Sequence, residues 1–309
     1  MKTNIPFTKF IPFFFVTTIL LSVVSVGNVL LQWKSGTIAV GIDFAGGVET
    51  KVKFAAKKDI AELRSVLEKA GGIDIQEVIG AERGLVYLLR MKSADNTAEK
   101  DAAALALTAR YGAGSFEILE KTSISGTMSK DNLIKSALIV LLSWVLVFIY
   151  IIFRFEMKYA IGAVVALLHD VTICFGFISI AGIEWNILTL TAVLTIIGYS
   201  SNDTIIIFDR VRENAELKGA FKSYKELIDV SVNQTLSRTL GTAAVVILVT
   251  LAIIFFGGPV IHNFGKVMLV GLIAGTYSSV FVACQVAIMW TAGADRAKAK
   301  RGKDAAVTA

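Results

Sequence analysis

Six apolar runs, at residues 10–31, 133–153, 159–183, 185–208, 239–256 and 267–290, are each long enough to cross a bilayer, which takes about 20 helical residues. A chain with six such runs has few folds open to it. In hydrocarbon every backbone N–H and C=O must be satisfied inside the segment, so runs of this length predict helices packed as a bundle. The composition agrees: 55% of the 309 residues are hydrophobic and the mean hydropathy is +0.67, more apolar surface than one soluble core of this size hides.

Charge is sparse, 18% of residues, with a net charge of +6. The basic residues cluster beside the apolar runs, so the positive-inside bias explains them and nucleic acid is not expected as a partner. Arg154 and Lys158 separate the second and third runs, Arg210, Arg212, Lys218, Lys222 and Lys225 follow the fourth, and Arg296, Lys298, Lys300, Arg301 and Lys303 follow the sixth. The turns at 182–184 and 257–264 hold no Lys or Arg. Both termini are therefore expected in the cytoplasm, in a multi-pass membrane protein: a cytoplasmic segment at 1–9, a first span at 10–31, an extracytoplasmic domain at 32–130, a five-helix bundle at 131–290 and a basic cytoplasmic tail at 291–309. The first run is too long for the apolar part of a signal peptide and reads as an uncleaved anchor. Cys174 and Cys284 both fall in apolar runs, with no disulfide or metal-ligand spacing.

The segment 32–130 alternates strand and helix patterns. Residues 48–54 read as a strand. At 57–70, Ile60, Leu63, Val66 and Leu67 share one helical face ahead of Gly71 and Gly72. Two strands are expected at 73–79 and 84–91, a second helix at 97–112 and a last strand at 115–124. The order βαββαβ predicts a ferredoxin-like α+β domain between the first two spans. Within 209–238, Ser223 and Glu226 have capping-box spacing. Tyr224, Leu227, Ile228, Val232 and Leu236 then recur at helical spacing, as in an amphipathic helix on the membrane surface or a plain connector helix.

Ionisable residues inside spans are costly and usually functional. His169 and Asp170 lie midway along the third run and Asp203 in the fourth, about six residues, or ~9 Å, from its charged end. Arg238 stands at the entrance to the fifth, within reach of the membrane interior. Asp170 sits on a small-residue ridge with Gly162, Ala166 and Cys174. Thr191, Thr195, Tyr199 and Asn202 form a polar stripe with Asp203 at its edge, and Gly271, Gly275, Ser279, Ala283 and Ala287 form a second small ridge. These patterns turn Asp170 and Asp203 toward the bundle interior or toward a partner's helices. A carboxylate so placed either relays protons, with Arg238 as a switchable counter-charge, or locks two helices by hydrogen bonding. The oxygens of Asn202 and Asp203 suit sodium as well as a proton. Asp170 leans toward the structural role, and His169 is the group beside it that titrates or fills an interior hydrogen bond.

Two motifs carry a family resemblance. GIDFAGGVETKVKF, from Gly41, resembles the Asp-Phe-x-Gly-Gly signature that follows the first span in the SecD/SecF family. GYSSNDTIIIFDRVREN, from Gly198, resembles the fourth-span signature of the SecF branch of that family. LLHD at 167–170 and NQTLSRTL at 233–240 resemble its third-span motif and the start of its fifth, so the likeness runs through the chain in order. It implies an accessory subunit of the Sec protein translocase in the inner membrane of a bacterium, with the domain at 32–130 on the periplasmic side. Paired with SecD in a twelve-span, RND-like unit, it would work beside the SecYEG channel and YajC on translocating, unfolded preprotein. The coupling would use the proton-motive force, or sodium in some bacteria, with no other cofactor. The resemblance assigns proton transport to Asp203 and Arg238, and signature positions to Asp43, Phe44, Gly46, Gly47, Gly198, Tyr199, Asp209 and Arg210. Gly46 and Gly47 also read as a φ > 0 turn into the first strand, and Asp209, Arg210, Arg212 and Glu213 as an anchoring salt-bridge patch. Ser201 stands where the family has an aliphatic residue, and Lys51 and Lys53 add charge after the glycines.

No phosphate loop or nucleophile constellation is present, so no enzyme is expected. The competing reading is half of an RND-type exporter of small molecules or lipids. A passive scaffold, for which the membrane charges would be dispensable, is the third.

Overall fold

The computed structural model describes residues 3–68, 73–77, 86–91, 102–217 and 219–293. Six helices are long and apolar enough to cross a membrane. They are α1 (Phe7–Ser35), α5 (Gly126–Arg154), α6 (Met157–Ile180), α7 (Ile187–Ala215), α8 (Tyr224–Phe256) and α9 (Gly258–Ser278). A π-turn, Ser279–Ala283, extends α9 toward residue 293. The innermost are α6, α7 and the sixth span, whose most apolar stretches are 50%, 50% and 67% buried, against 17%, 6% and 17% for α1, α5 and α8. Among the described residues, the buried aspartates and histidine, His169, Asp170 and Asp203, lie on these inner helices.

Small residues let the inner helices approach. A Cβ at Gly162 on α6 would stand 2.6 Å from the Ala283 carbonyl oxygen, and one at Gly275 on α9 2.9 Å from Ser200 Cβ. These contacts are backbone against backbone or against a serine, the packing that substitutes for a hydrophobic driving force in lipid.

Between α1 and α5 stands a small α+β unit: α2 (Ile42–Ala45), β1 (Gly47–Phe54), α3 (Ile60–Glu68), β2 (Ile73–Glu77), β3 (Val86–Met91), α4 (Ala102–Tyr111) and β4 (Phe116–Ile124). The four strands form one sheet in the order β2-β3-β1-β4, antiparallel throughout. Alternation along β1 puts Val52 and Phe54 on the face that meets Leu63 and Leu67 of α3 and Leu107 of α4, with Tyr87 and Leu89 of β3 beside them. Gly46 and Gly47, at φ of +73° and +131°, turn the chain from α2 into β1, a conformation that costs glycine little. The ends of two expected strands at 78–79 and 84–85, the turn between them, the start of the second helix at 97–101, Gly71, Gly72, Lys218 and the basic tail from 294 lie outside the described residues.

Several boundaries differ from the sequence reading. The fourth span runs seven residues past 208, to Ala215, because Asn214 remains buried, donating to Ser231 Oγ at 2.9 Å and Gln234 Oε1 at 2.8 Å. The amphipathic stretch after Ser223 is not a separate helix on a membrane surface. It forms the first turns of α8, a single 33-residue helix. Ser223 Oγ accepts from Glu226 N at 3.2 Å, and no Gly or Pro interrupts the helix before Gly241. Its apolar residues Leu227, Ile228 and Val232 join the bundle core with Phe155, Tyr159 and Phe208. The expected loop at 257–264 shrinks to Gly257, after which α9 begins at once.

The α+β unit is tied to the turn before α7. Val40 bridges Trp185, with Gly41 N donating to Trp185 O and Trp185 N to Ala39 O, both at 2.9 Å. Arg90 of β3 ion-pairs with Glu184 in that turn and with Glu49 of β1.

Candidate functional site

Asp170, fully buried on α6, collects three hydrogen bonds. Its Oδ2 accepts from Ser200 Oγ of α7 at 2.5 Å and from Ser278 Oγ of α9 at 3.0 Å, and Oδ1 faces His169 Nδ1 at 2.9 Å. The other ring nitrogen, His169 Nε2, is 2.6 Å from the Tyr277 hydroxyl. A neutral imidazole has one donor and one acceptor. Nδ1–H donating to the carboxylate leaves Nε2 to accept from Tyr277. This chain of polar groups joins α6, α7 and α9 and fills the acceptor capacity of one carboxylate oxygen.

Asp203 sits one turn along α7 from Ser200. It too is fully buried, and neither carboxylate oxygen has a hydrogen-bond partner. The Tyr199 hydroxyl, four residues back on the same helix, and Thr239 Oγ1 on α8 are also buried without partners. An unpartnered buried carboxylate is costly in its ionised form. The two intramembrane aspartates therefore stand in opposite conditions, Asp170 fully bonded and Asp203 bare.

Arg238 does not meet Asp203 in this arrangement. It precedes Thr239 on α8 but is exposed, and it donates to neither Asp203 oxygen. Asn202, expected beside Asp203 as a ligand, also points out of the bundle, as its place one residue away on a helix of 3.6 residues per turn requires. Thr191 and Thr195, of the expected polar stripe, are exposed as well, each donating to the carbonyl four residues back, at 2.7 and 2.8 Å. Ser201 spends its hydroxyl the same way, on Ile197 O at 2.5 Å.

At the far end of α7, Asp209 pairs with Arg154 at 3.1 Å and Arg212 at 3.5 Å, and Arg210 contacts Gln234 at 2.5 Å and Glu213 at 2.6 Å. At the near end, Asp43 of the Asp-Phe-x-Gly-Gly motif accepts from Ile187 N at 3.0 Å, and Asn132 Nδ2 donates to its carbonyl at 3.3 Å. Asn186 and Thr189 complete a reciprocal capping box there, at 2.8 and 3.0 Å. Gly198 lies exposed, with open space where a side chain would go.

Sequence reasoning missed Ser200, Tyr277, Ser278 and the Arg90–Glu184 pair. The serines and the tyrosine left a signal, polar residues inside apolar runs at GYSSN and GTYSS. The ion pair left none, since it joins positions 94 residues apart.

The family described as protein export membrane protein SecD/SecF, C-terminal, matches residues 104–293. The protein translocase subunit SecF of Rickettsia conorii is 36% identical over 251 residues, 81% of either chain. That of Thermodesulfovibrio yellowstonii is 35% identical over 264 residues, 84% of this chain and 86% of the relative. The crystal structure of SecDF from Thermus thermophilus, a translocon-associated membrane protein, superposes with a TM-score of 0.81 at 29% identity, covering 94% of this chain and 39% of that one. SecDF in its super-membrane-facing form gives 0.69, also at 29% identity, covering 98% and 40%. The chain thus spans about two fifths of SecDF.

Proposed function

The chain belongs to the SecD/SecF family of protein export membrane proteins, and from that premise we propose that it is the SecF-type subunit that couples ion flow to the late stages of protein export. The single observation that carries this is the contrast between the two intramembrane aspartates. Asp170 has three donors and the place of a structural anchor. Asp203 has none. In this packing Asp203 holds a proton, because the bare carboxylate would be an unpartnered charge in a low-dielectric site. Approach of the Arg238 guanidinium would favour the ionised form and release the proton. The transported ion is the proton, with sodium as the alternative, and no covalent chemistry is involved.

Arg238, Asn202, Thr242 and the Thr191–Thr195 stripe present an exposed polar face on α7 and α8. Such groups are costly against lipid, so this face is read as covered by the spans of SecD, the rest of the SecDF-like unit. By the same likeness the chain works beside the SecYEG channel, with YajC, on emerging preprotein. The βαββαβ order and the β2-β3-β1-β4 sheet support a ferredoxin-like domain, and the Lys and Arg residues beside the spans favour placing it on the extracytoplasmic side, with both termini cytoplasmic. The six spans and buried aspartates fit an RND-type exporter equally, and no observation favours that reading over this one.

The test is proton flux. Membrane vesicles containing the chain with its SecD partner are given a pH gradient, and its decay is followed for the original protein, Asp203→Asn and Arg238→Gln. Both variants should slow the partner-dependent decay to that of vesicles lacking the pair. Unchanged decay in Asp203→Asn would remove the relay.

A further inference from the structure

A cleft of about 650 Å³ opens between α1, α5, α6 and α7 on the side of the bundle that carries the α+β unit. Its walls are apolar apart from Ser136 and the tryptophan N–H groups. Three of the chain's four tryptophans line it, Trp33 and Trp185 toward the α+β unit and Trp144 deeper in the bundle, and Phe44 of the Asp-Phe-x-Gly-Gly motif contributes to the wall. On α5 the lining runs from Leu133 to Trp144. That is about 16 Å at ~1.5 Å per residue, half of a hydrocarbon core of ~30 Å. The cleft is as deep as one leaflet.

An extended peptide would find almost no hydrogen-bond partners for its backbone over that depth, whereas a hydrocarbon chain needs none. A slender, flexible, apolar chain fits. Above it lies charge suited to a phosphate. Lys130 stands on the same stripe of α5 as Leu133, Ala137 and Trp144, and Lys34 follows Trp33 on α1; both lysines are exposed. Tryptophan and lysine at this level match the headgroup zone, where amphipathic side chains anchor.

We infer that this cleft is a phospholipid site: one acyl chain of the leaflet on the domain side occupies it, with the lipid phosphate at Lys130 and Lys34. The inference rests on the membrane fold and not on the ion-relay reading. A lipid seated here touches Phe44 and Trp185, the two side chains flanking the tie between the α+β unit and α7.

The experiment uses the full chain with its SecD partner, purified in mild detergent, and a phosphatidylglycerol carrying a photoreactive group midway along one acyl chain. Detergent dilutes the unspecific lipid annulus. Adducts should concentrate on cleft residues such as Ala137 and Val171. Ala137→Trp, which fills the cleft, should cut them about tenfold, and Ala137→Leu serves if that variant fails to fold. Lys130→Glu with Lys34→Glu should cut them severalfold. Adducts spread evenly around all six spans, adducts indifferent to filling Ala137, or a polypeptide in place of the lipid in the cleft would overturn the site. Full labelling of the charge-reversed variant would overturn the headgroup assignment.

Discussion

The carboxylate of Asp43 accepts a hydrogen bond from the backbone N–H of Ile187 at 3.0 Å. Ile187 is the first residue of α7, the helix that carries Asp203 sixteen residues, or ~24 Å, further on. The first N–H groups of a helix have no partner within it, and a negative charge there also complements the helix dipole. The Asp-Phe-x-Gly-Gly motif therefore docks the α+β unit onto the start of the span that carries Asp203.

Replacing Asp43 should loosen that dock. Asp43→Ala is expected to lose about 0.5–2 kcal/mol, the range for a lost helix cap, and Asp43→Asn rather less, since it keeps an acceptor. Thermal unfolding of the purified chain in detergent measures both. Equal loss in the two variants would mean that the charge, not the hydrogen bond, matters.

The Arg90–Glu184 pair makes the second tie. Both side chains are mostly buried, 17% and 15% exposed, so a surface-pair discount does not apply. Glu184→Gln is expected to cost about 1.5–3 kcal/mol, the range for hydrogen bonds to charged groups. Faster amide hydrogen exchange in β3 and in the turn before α7 should report it. Exchange unchanged at both places would show that the pair holds nothing.

Around Asp170 the bonds are to be tested one at a time. Tyr277→Phe leaves His169 Nε2 buried without a partner and should cost about 1–3 kcal/mol. Ser278→Ala removes one of the three donors to Asp170 and should cost about 1 kcal/mol. In both, the amount of folded protein in the membrane should fall while the proton flux per molecule stays. Lost flux at normal abundance would move this cluster from anchor to relay.

Gly275 has room for no side chain, with Ser200 Cβ only 2.9 Å from where its Cβ would stand. Gly275→Val should push α9 away from α7 and part Ser200 and Ser278 from Asp170. A cost of about 1–3 kcal/mol is expected from overpacking, read as a lower unfolding temperature. The change Gly198→Ala, into open space, is the control and should be silent.

Much of this was legible in the sequence, for identifiable reasons. The six spans announce themselves because lipid demands long apolar runs. The α+β elements show because Leu63 and Leu67 keep the helical period and Gly46–Gly47 mark a turn. Asp203 and Asp170 stood out because charge in a span is rare. Less legible was anything depending on which way a residue faces its neighbours. Asn202 and Asp203 are adjacent in sequence yet point to opposite environments. Arg238 was close enough in sequence logic to meet Asp203 but lies on the outer face of α8. The extension of α8 back to Tyr224 followed from tertiary packing of Leu227 and Val232, which amphipathic spacing alone does not distinguish from a surface helix.

The most direct measurement is export of a secreted reporter in cells depleted of their own SecF-type protein and supplied with Asp203→Asn, once the variant has been shown to accumulate and to bind its partner. The substitution keeps size and hydrogen-bonding capacity and removes only the titrating group. Export is expected to fail as it does in the depleted cells. Normal export would make the bare carboxylate of Asp203 a packing feature rather than the seat of coupling.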